Sequence, residues 1–173
     1  MIEEYCRIRV SQLLWIAVPV SCVEEVIQLQ PQDISLIPAV NPCLLGITNK
    51  RGRLLWILHL EKFLGIKANP LPKQLLTITI RLPKQDAAGI SRVACVVVSL
   101  EEIVTLDSQK FVPVPDKLPQ RARELLSGLV NLDKKTYGIL NVEEMFRILN
   151  PSGDDEQSSI NQVIGELAGI STA

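Results

Sequence analysis

Few side chains in this 173-residue sequence could carry chemistry. His59 is the single histidine, and Glu24-Glu25 and Glu101-Glu102 are adjacent carboxylate pairs. General acid–base work needs two titratable groups converging on one reacting atom, and neighbouring residues diverge. The pairs therefore read as a structural turn used twice. His59 closes an apolar run, opposite in parity to Trp56 and Leu58, so it is expected to face solvent or to be hydrogen-bonded at a strand end. No G-x-S-x-G elbow, H-E-x-x-H pair or P-loop occurs, and the glycines never cluster into a phosphate cradle. Cys6, Cys22, Cys43 and Cys95 are widely spaced among apolar neighbours, with no C-x-x-C. They read as buried, reduced thiols rather than as metal ligands or disulfide partners. These residues suggest no catalytic group, metal or cofactor. The remaining cluster is Lys50, Arg51 and Arg53 around a predicted hairpin tip, with Trp56 nearby. Three charges would bind nucleic acid weakly and salt-sensitively, whereas arginine beside apolar surface is a common protein-recognition pairing.

The elements that must position these residues follow from composition and punctuation. Eighteen Lys and Arg stand against 19 Asp and Glu, a formal net charge of −1, which argues against a dedicated nucleic-acid binder. Hydrophobic residues make up 47% and charged residues 21%, the profile of a folded globular chain rather than a disordered one. No apolar run approaches the roughly 18 to 20 residues of a membrane helix. The opening Met-Ile-Glu-Glu has neither a basic n-region nor a small-residue cleavage site, so a cytoplasmic location is expected. Short runs rich in Ile and Val, broken by Pro, Gly and Asn, predict an all-β chain. Ten strands are expected, near residues 5–10, 13–19, 26–29, 44–48, 54–58, 75–82, 93–98, 103–106, 128–132 and 136–140. Ser11-Gln12 and Asn49–Gly52 read as hairpins, the second a bulged one in which Gly52 supplies a positive φ. Helical turns are expected at 22–25, 60–64 and 118–126, with a connector at 67–73 and an exposed loop at 83–89.

An internal repeat organises these elements. Ala17–Leu29 aligns with Ala94–Leu106 at an offset of 77, and Ile37-Pro38 recurs as Val114-Pro115. Leu44–Asn49 and Ile57–Leu64 then align with Leu126–Asn131 and Ile139–Phe146 at an offset of 82. The five extra residues fall between Pro115 and Gly128. The same motif order in both halves predicts two similar β lobes within residues 1–150. Residues 151–173 differ: an acidic breaker with Asp154, Asp155 and Glu156 precedes Ile160, Val163, Ile164, Leu167 and Ile170 at helical spacing. This tail reads as an acidic linker followed by a packed helix, a frayed end or a partner-binding helix.

Five motifs in order resemble the CheW-like coupling proteins of bacterial chemotaxis and motility. They are the strand and acidic segment Ile16–Ile27, the Ile37-Pro38 pair, the Gly46–Gly52 stretch (GITNKRG), the second-half strand Val93–Ile103, and the closing segment Gly128–Phe146. The resemblance spans about residues 5–149. It implies two packed SH3-like five-stranded β-barrel lobes with short helices, no catalysis and no cofactor. It also implies two partners, the regulatory domain of a CheA-type histidine kinase and the cytoplasmic tip of a chemoreceptor, in a chemotaxis, phototaxis or pilus-motility array. Carried over by motif, Val23, Glu25, Val26 and Arg51 would face the receptor. Kinase contacts would fall at Asn49 and Arg53 of the hairpin and at Leu100 and Ile103. The chain departs from the family pattern with Trp56 where Pro is usual, and with His59 and Val98 where Asp is usual. The competing readings are a tandem β-barrel that binds nucleic acid, another kind of protein-interaction module, and an enzyme with a site no motif reveals.

Overall fold

The computed structural model describes residues 1–38, 40–83, 89–150 and 164. The chain opens with β1 (Ile2–Arg9) and β2 (Trp15–Pro19). They are joined through a turn in which the Val10 N–H donates to the Leu14 carbonyl at 2.9 Å. Leu13, expected in the second strand, sits in this turn and is 89% exposed. A 3-10 turn over Val20–Cys22 leads into β3 (Val23–Leu29). Then come β4 (Leu44–Lys50), β5 (Arg53–Leu58), α1 (Leu60–Phe63), β6 (Leu75–Arg81), β7 (Arg92–Val97) and β8 (Ser99–Asp107). The chain continues with α2 (Gln120–Leu125), β9 (Leu126–Leu132), β10 (Lys135–Leu140) and α3 (Val142–Leu149). All ten expected strands are present. The acidic pairs are a correction: Glu24-Glu25 and Glu101-Glu102 lie within β3 and β8, not in turns. Pro19 starts the helical turn early, and from Val23 onward the backbone pairs with β6, for example Glu25 opposite Thr79.

The strands form two five-stranded sheets, ordered β8-β1-β2-β10-β9 and β3-β6-β7-β5-β4. This is the all-β architecture of two SH3-like lobes. The two orders are related by the repeat. The parallel pair Ile57↔Ala94 in one sheet matches Ile139↔Ala17 in the other. The bridge between Ser35 and Ile47 likewise matches the bridge between Val112 and Leu129. Each repeat therefore places its first strand in the other repeat's sheet: β2 lies beside β10, and β7 beside β5. The five extra residues of the second half are accommodated around α2, which has no helical counterpart among the described residues of the first.

The continuous apolar runs have a physical reason here. Side chains alternate faces along a strand, and both faces of these sheets are covered. In β7, Val93, Cys95 and Val97 join a large core shared by the lobes, while Ala94 and Val96 join a smaller cluster with Ile27, Leu29, Leu55 and Ile57. In β2, Ile16 and Val18 face the shared core, and Ala17 faces a third cluster with Tyr5, Tyr137 and Ile139. Helix α3 adds Met145, Phe146 and Leu149 to the shared core. At about 1.5–3 kcal/mol for each large apolar side chain buried, this core is the main cohesion between the lobes.

The C-terminal readings fall almost wholly on residues 151–163 and 165–173, outside the described residues. Ile164 alone is described; it is helical and packs, half-buried, against the shared core. Of the expected loop at 83–89, residues 84–88 also lie outside.

Candidate recognition surface

The hairpin between β4 and β5 is tight rather than bulged. Lys50 pairs with Arg53, leaving the two-residue loop Arg51-Gly52; the register shift lies further back, between Leu44 and Gly46. Both loop residues are left-handed, Arg51 at φ 54° and Gly52 at φ 79°. That is the type I′ geometry whose twist matches the flanking strands. The Gly52 N–H donates to the Asn49 side-chain carbonyl at 3.0 Å, which holds the turn closed. The second lobe repeats this device with Asp133 at φ 48° and Lys134 at φ 67°.

The turn projects Arg51 at the rim of a cavity of about 240 Å³. Glu24, Glu25, Lys50, Arg53 and Arg92 complete the rim, over Leu54 and Leu55. Arg92 is ion-paired with Glu24. Glu25, Lys50, Arg51 and Arg53 have no ion-pair partner among the described residues. The rim thus carries four cations and two carboxylates on a protein whose net charge is −1.

The equivalent mouth of the other lobe is compensated from within. Arg7 bridges Glu102 at 3.6 Å and Asp133 at 3.4 Å. Lys135 lies 3.7 Å from Glu101, which also accepts the Tyr137 hydroxyl at 2.7 Å. Burial and this carboxylate push the Tyr137 hydroxyl pKa up. Trp15 is flanked by Arg9 and Lys135, 5.4 and 5.2 Å from its ring centre. The register places Thr79 of β6 opposite Glu25, with a buried hydroxyl that has no hydrogen-bond partner among the described residues.

Of the sequence-predicted site residues, the structure brings Glu25, Arg51 and Arg53 to this one rim, with Asn49 beneath the turn. Val23 and Val26 lie on the adjoining β3, which edges its sheet. Val23 is half-buried against the shared core, and Val26 is 48% exposed. Leu100 and Ile103 are the repeat equivalents of Val23 and Val26. They sit on β8, the edge of the other sheet, Leu100 half-buried and Ile103 60% exposed. The four residues assigned to kinase contact are therefore divided between two sheets. Sequence reading missed Arg92 as a rim residue; its signal was the repeat, which aligns it with Trp15 of the compensated mouth.

His59 corrects an expectation. It is buried, only 8% exposed, and its Nδ1 has no hydrogen-bond partner among the described residues. Burial lowers its pKa, with Lys62 adding to the effect and Glu61 opposing it. It lines a cavity of about 490 Å³ with Glu61, which accepts the Asn69 N–H at 2.9 Å. The repeat equivalents Asn141 and Glu143 line a larger cavity of about 780 Å³. Among the described residues, no three His, Cys, Asp or Glu side chains are grouped to hold a metal, and no helix is long and apolar enough to cross a membrane. Cys22 and Cys95 are buried and Cys6 and Cys43 half-buried, all free; burial pushes their thiols up.

Two interlocked β lobes, with uncompensated charge at one mouth and exposed aliphatics on the sheet edges, define a protein-interaction module of the scaffold class. A family model described as the CheW-like domain matches residues 4–149. The chain belongs to the CheW-like family, a family of chemotaxis scaffold and adaptor proteins. Among solved structures it is similar to the scaffolding protein TtCheW from Thermoanaerobacter tengcongensis. That likeness has a TM-score of 0.62 at 20% identity, covers 82% of this chain and 90% of that one, and is a likeness of fold. A search of curated proteins gave no match.

Proposed function

We propose that this protein is a non-enzymatic, cytoplasmic adaptor that couples chemoreceptors to a CheA-type histidine kinase in a chemotaxis, phototaxis or pilus-motility array. In this reading Val23, Glu25, Val26 and Arg51 meet the receptor tip, and Asn49, Arg53, Leu100 and Ile103 meet the kinase regulatory domain. The supporting observation is that exposed Arg51 and half-buried Glu25 share one rim with no ion pair among the described residues. A charge held at the surface in this way is available to a partner, and a partner's complementary charge would set register and on-rate more than bulk affinity. The exposed Val26 and Ile103 would supply the apolar part of two edge contacts. Signalling contacts of this kind bury about 1,200–2,000 Å² or less. The adaptor would work by linkage: differential contacts with receptor and kinase states would transmit a bias of about 1–3 kcal/mol.

Titration calorimetry against the isolated regulatory domain of a CheA-type kinase from the same genome tests the coupling. One-to-one micromolar binding is expected, weakened by Leu100→Arg. Arg51→Glu should abolish binding to the cognate receptor tip while circular dichroism stays that of the folded protein. Unchanged receptor affinity in that variant would remove Arg51 from the interface.

A further inference from the structure

Two titratable side chains at the start of α1 are buried: His59 is 8% exposed and Glu61 7%. Burying a carboxylate is costly unless it is paired or hydrogen-bonded. One oxygen of Glu61 is provided for. Its Oε1 accepts the Asn69 main-chain N–H at 2.9 Å, and the Asn69 side-chain amide lies 3.5 Å from the same oxygen. Oε2 has no hydrogen-bond or ion-pair partner among the described residues and stays accessible from the cavity that Glu61 lines.

That cavity, of about 490 Å³, lies where the lobes meet. Arg9 and Gln12 of the β1–β2 hairpin form one side, and Leu71, Leu76 and Val97 form apolar wall on the other. Its size and its apolar lining with few polar groups are those of a small-molecule site. The cations nearby are committed elsewhere. Arg9 donates to the Ser11 and Gln12 carbonyls at 3.1 and 3.2 Å and lies over the Trp15 ring at 5.4 Å. Lys62 donates to the Pro42 carbonyl at 3.4 Å. Burial keeps the His59 ring neutral, so it adds no positive charge. The repeat shows that the fold does not need a buried carboxylate here: the equivalent Glu143 is exposed, and the equivalent Asn141 caps α3.

We propose that this junction cavity binds a small amphipathic ammonium, whose N–H groups donate to Oε2 of Glu61 while its apolar body lies against Leu71, Leu76 and Val97. An occupant would touch both lobes at once, since the walls come from both sheets.

His59 is the single histidine, so its ring protons give an isolated magnetic-resonance signal inside the cavity. The full chain is titrated at fixed neutral pH with phenethylammonium, phenethyl alcohol and phenylacetate, which share one apolar body. The ammonium should shift the imidazole signals saturably and one-to-one. The alcohol should bind about tenfold more weakly, because it lacks the charge-assisted hydrogen bond, and phenylacetate should not bind. Glu61→Gln keeps an oxygen for the Asn69 N–H and should lose about tenfold in affinity for the ammonium, with the circular dichroism of the folded protein. An imidazole signal that the ammonium leaves unmoved would overturn the proposal. So would equal affinity for the alcohol or the carboxylate, or full ammonium affinity in folded Glu61→Gln. If that variant does not fold, the comparison of the three ligands on the unaltered protein decides alone.

Discussion

At position 59 the chain carries a histidine where the repeat-equivalent Asn141 carries an amide that caps a helix. The Asn141 side chain accepts the Glu144 N–H at 3.1 Å at the start of α3, whereas His59 makes no such cap on α1. Its buried ring is held neutral, with a pKa below the ordinary 6.5. The unfolded chain therefore binds a proton more readily than the folded one. The stability due to the neutral ring is present above about pH 6.5 and is lost as the pH falls through that value toward the folded pKa. His59→Asn should remove this acid sensitivity and add about 1 kcal/mol through a restored cap. Urea unfolding at pH 7.5 and 5.5 checks both: the wild-type midpoint should fall with acid more steeply than the variant's.

The hairpin element sets turn geometry against recognition. Arg51 occupies a left-handed position that costs a branched-free L residue about 1 kcal/mol and that asparagine tolerates well. Arg51→Asn should therefore raise the melting temperature by a few degrees while weakening receptor binding, which scanning calorimetry and a binding titration separate. A stabilised variant that also bound as well as wild type would remove the charge from the recognition argument. A second constraint belongs to β4. Gly46 sits at φ 144°, and a Cβ there would lie 2.2 Å from the Ser35 carbonyl oxygen. That carbonyl accepts the Ile47 N–H at 3.0 Å in the bridge that closes the edge of the strand. Gly46→Ala should cost about 2–4 kcal/mol, read as a lower urea midpoint. The same change at the repeat-equivalent Gly128 should cost less, because its nearest contacts would be at 3.2 Å.

At the scale of the molecule, the exchanged strands and the shared core tie the lobes into one cooperative unit. Trp15 lies in β2 of one sheet and Trp56 in β5 of the other, so two single-tryptophan variants report on the lobes separately. Their denaturant transitions should coincide, and Phe146→Ala, which hollows the shared core, should lower both together by about 3–5 kcal/mol. Separate transitions would show that the lobes unfold independently. The sequence by itself determined the ten strands, the duplication, the hairpin tips and the charged residues of the rim other than Arg92. Each of these is encoded locally, by apolar runs, by glycine and asparagine at turns, and by motif order. Only the tertiary structure decided that β2 and β7 change lobes, because a strand with two apolar faces does not specify its neighbours. It placed Glu24 and Glu101 in strands, since pairing with a distant strand overrides a local turn preference. It also buried His59, whose parity suggested solvent before α1 and the loop at Asn69 closed over it. The contrast between the mouths was likewise invisible in one dimension: Arg7 lies 126 residues from Asp133, and only the folded sheet brings them together.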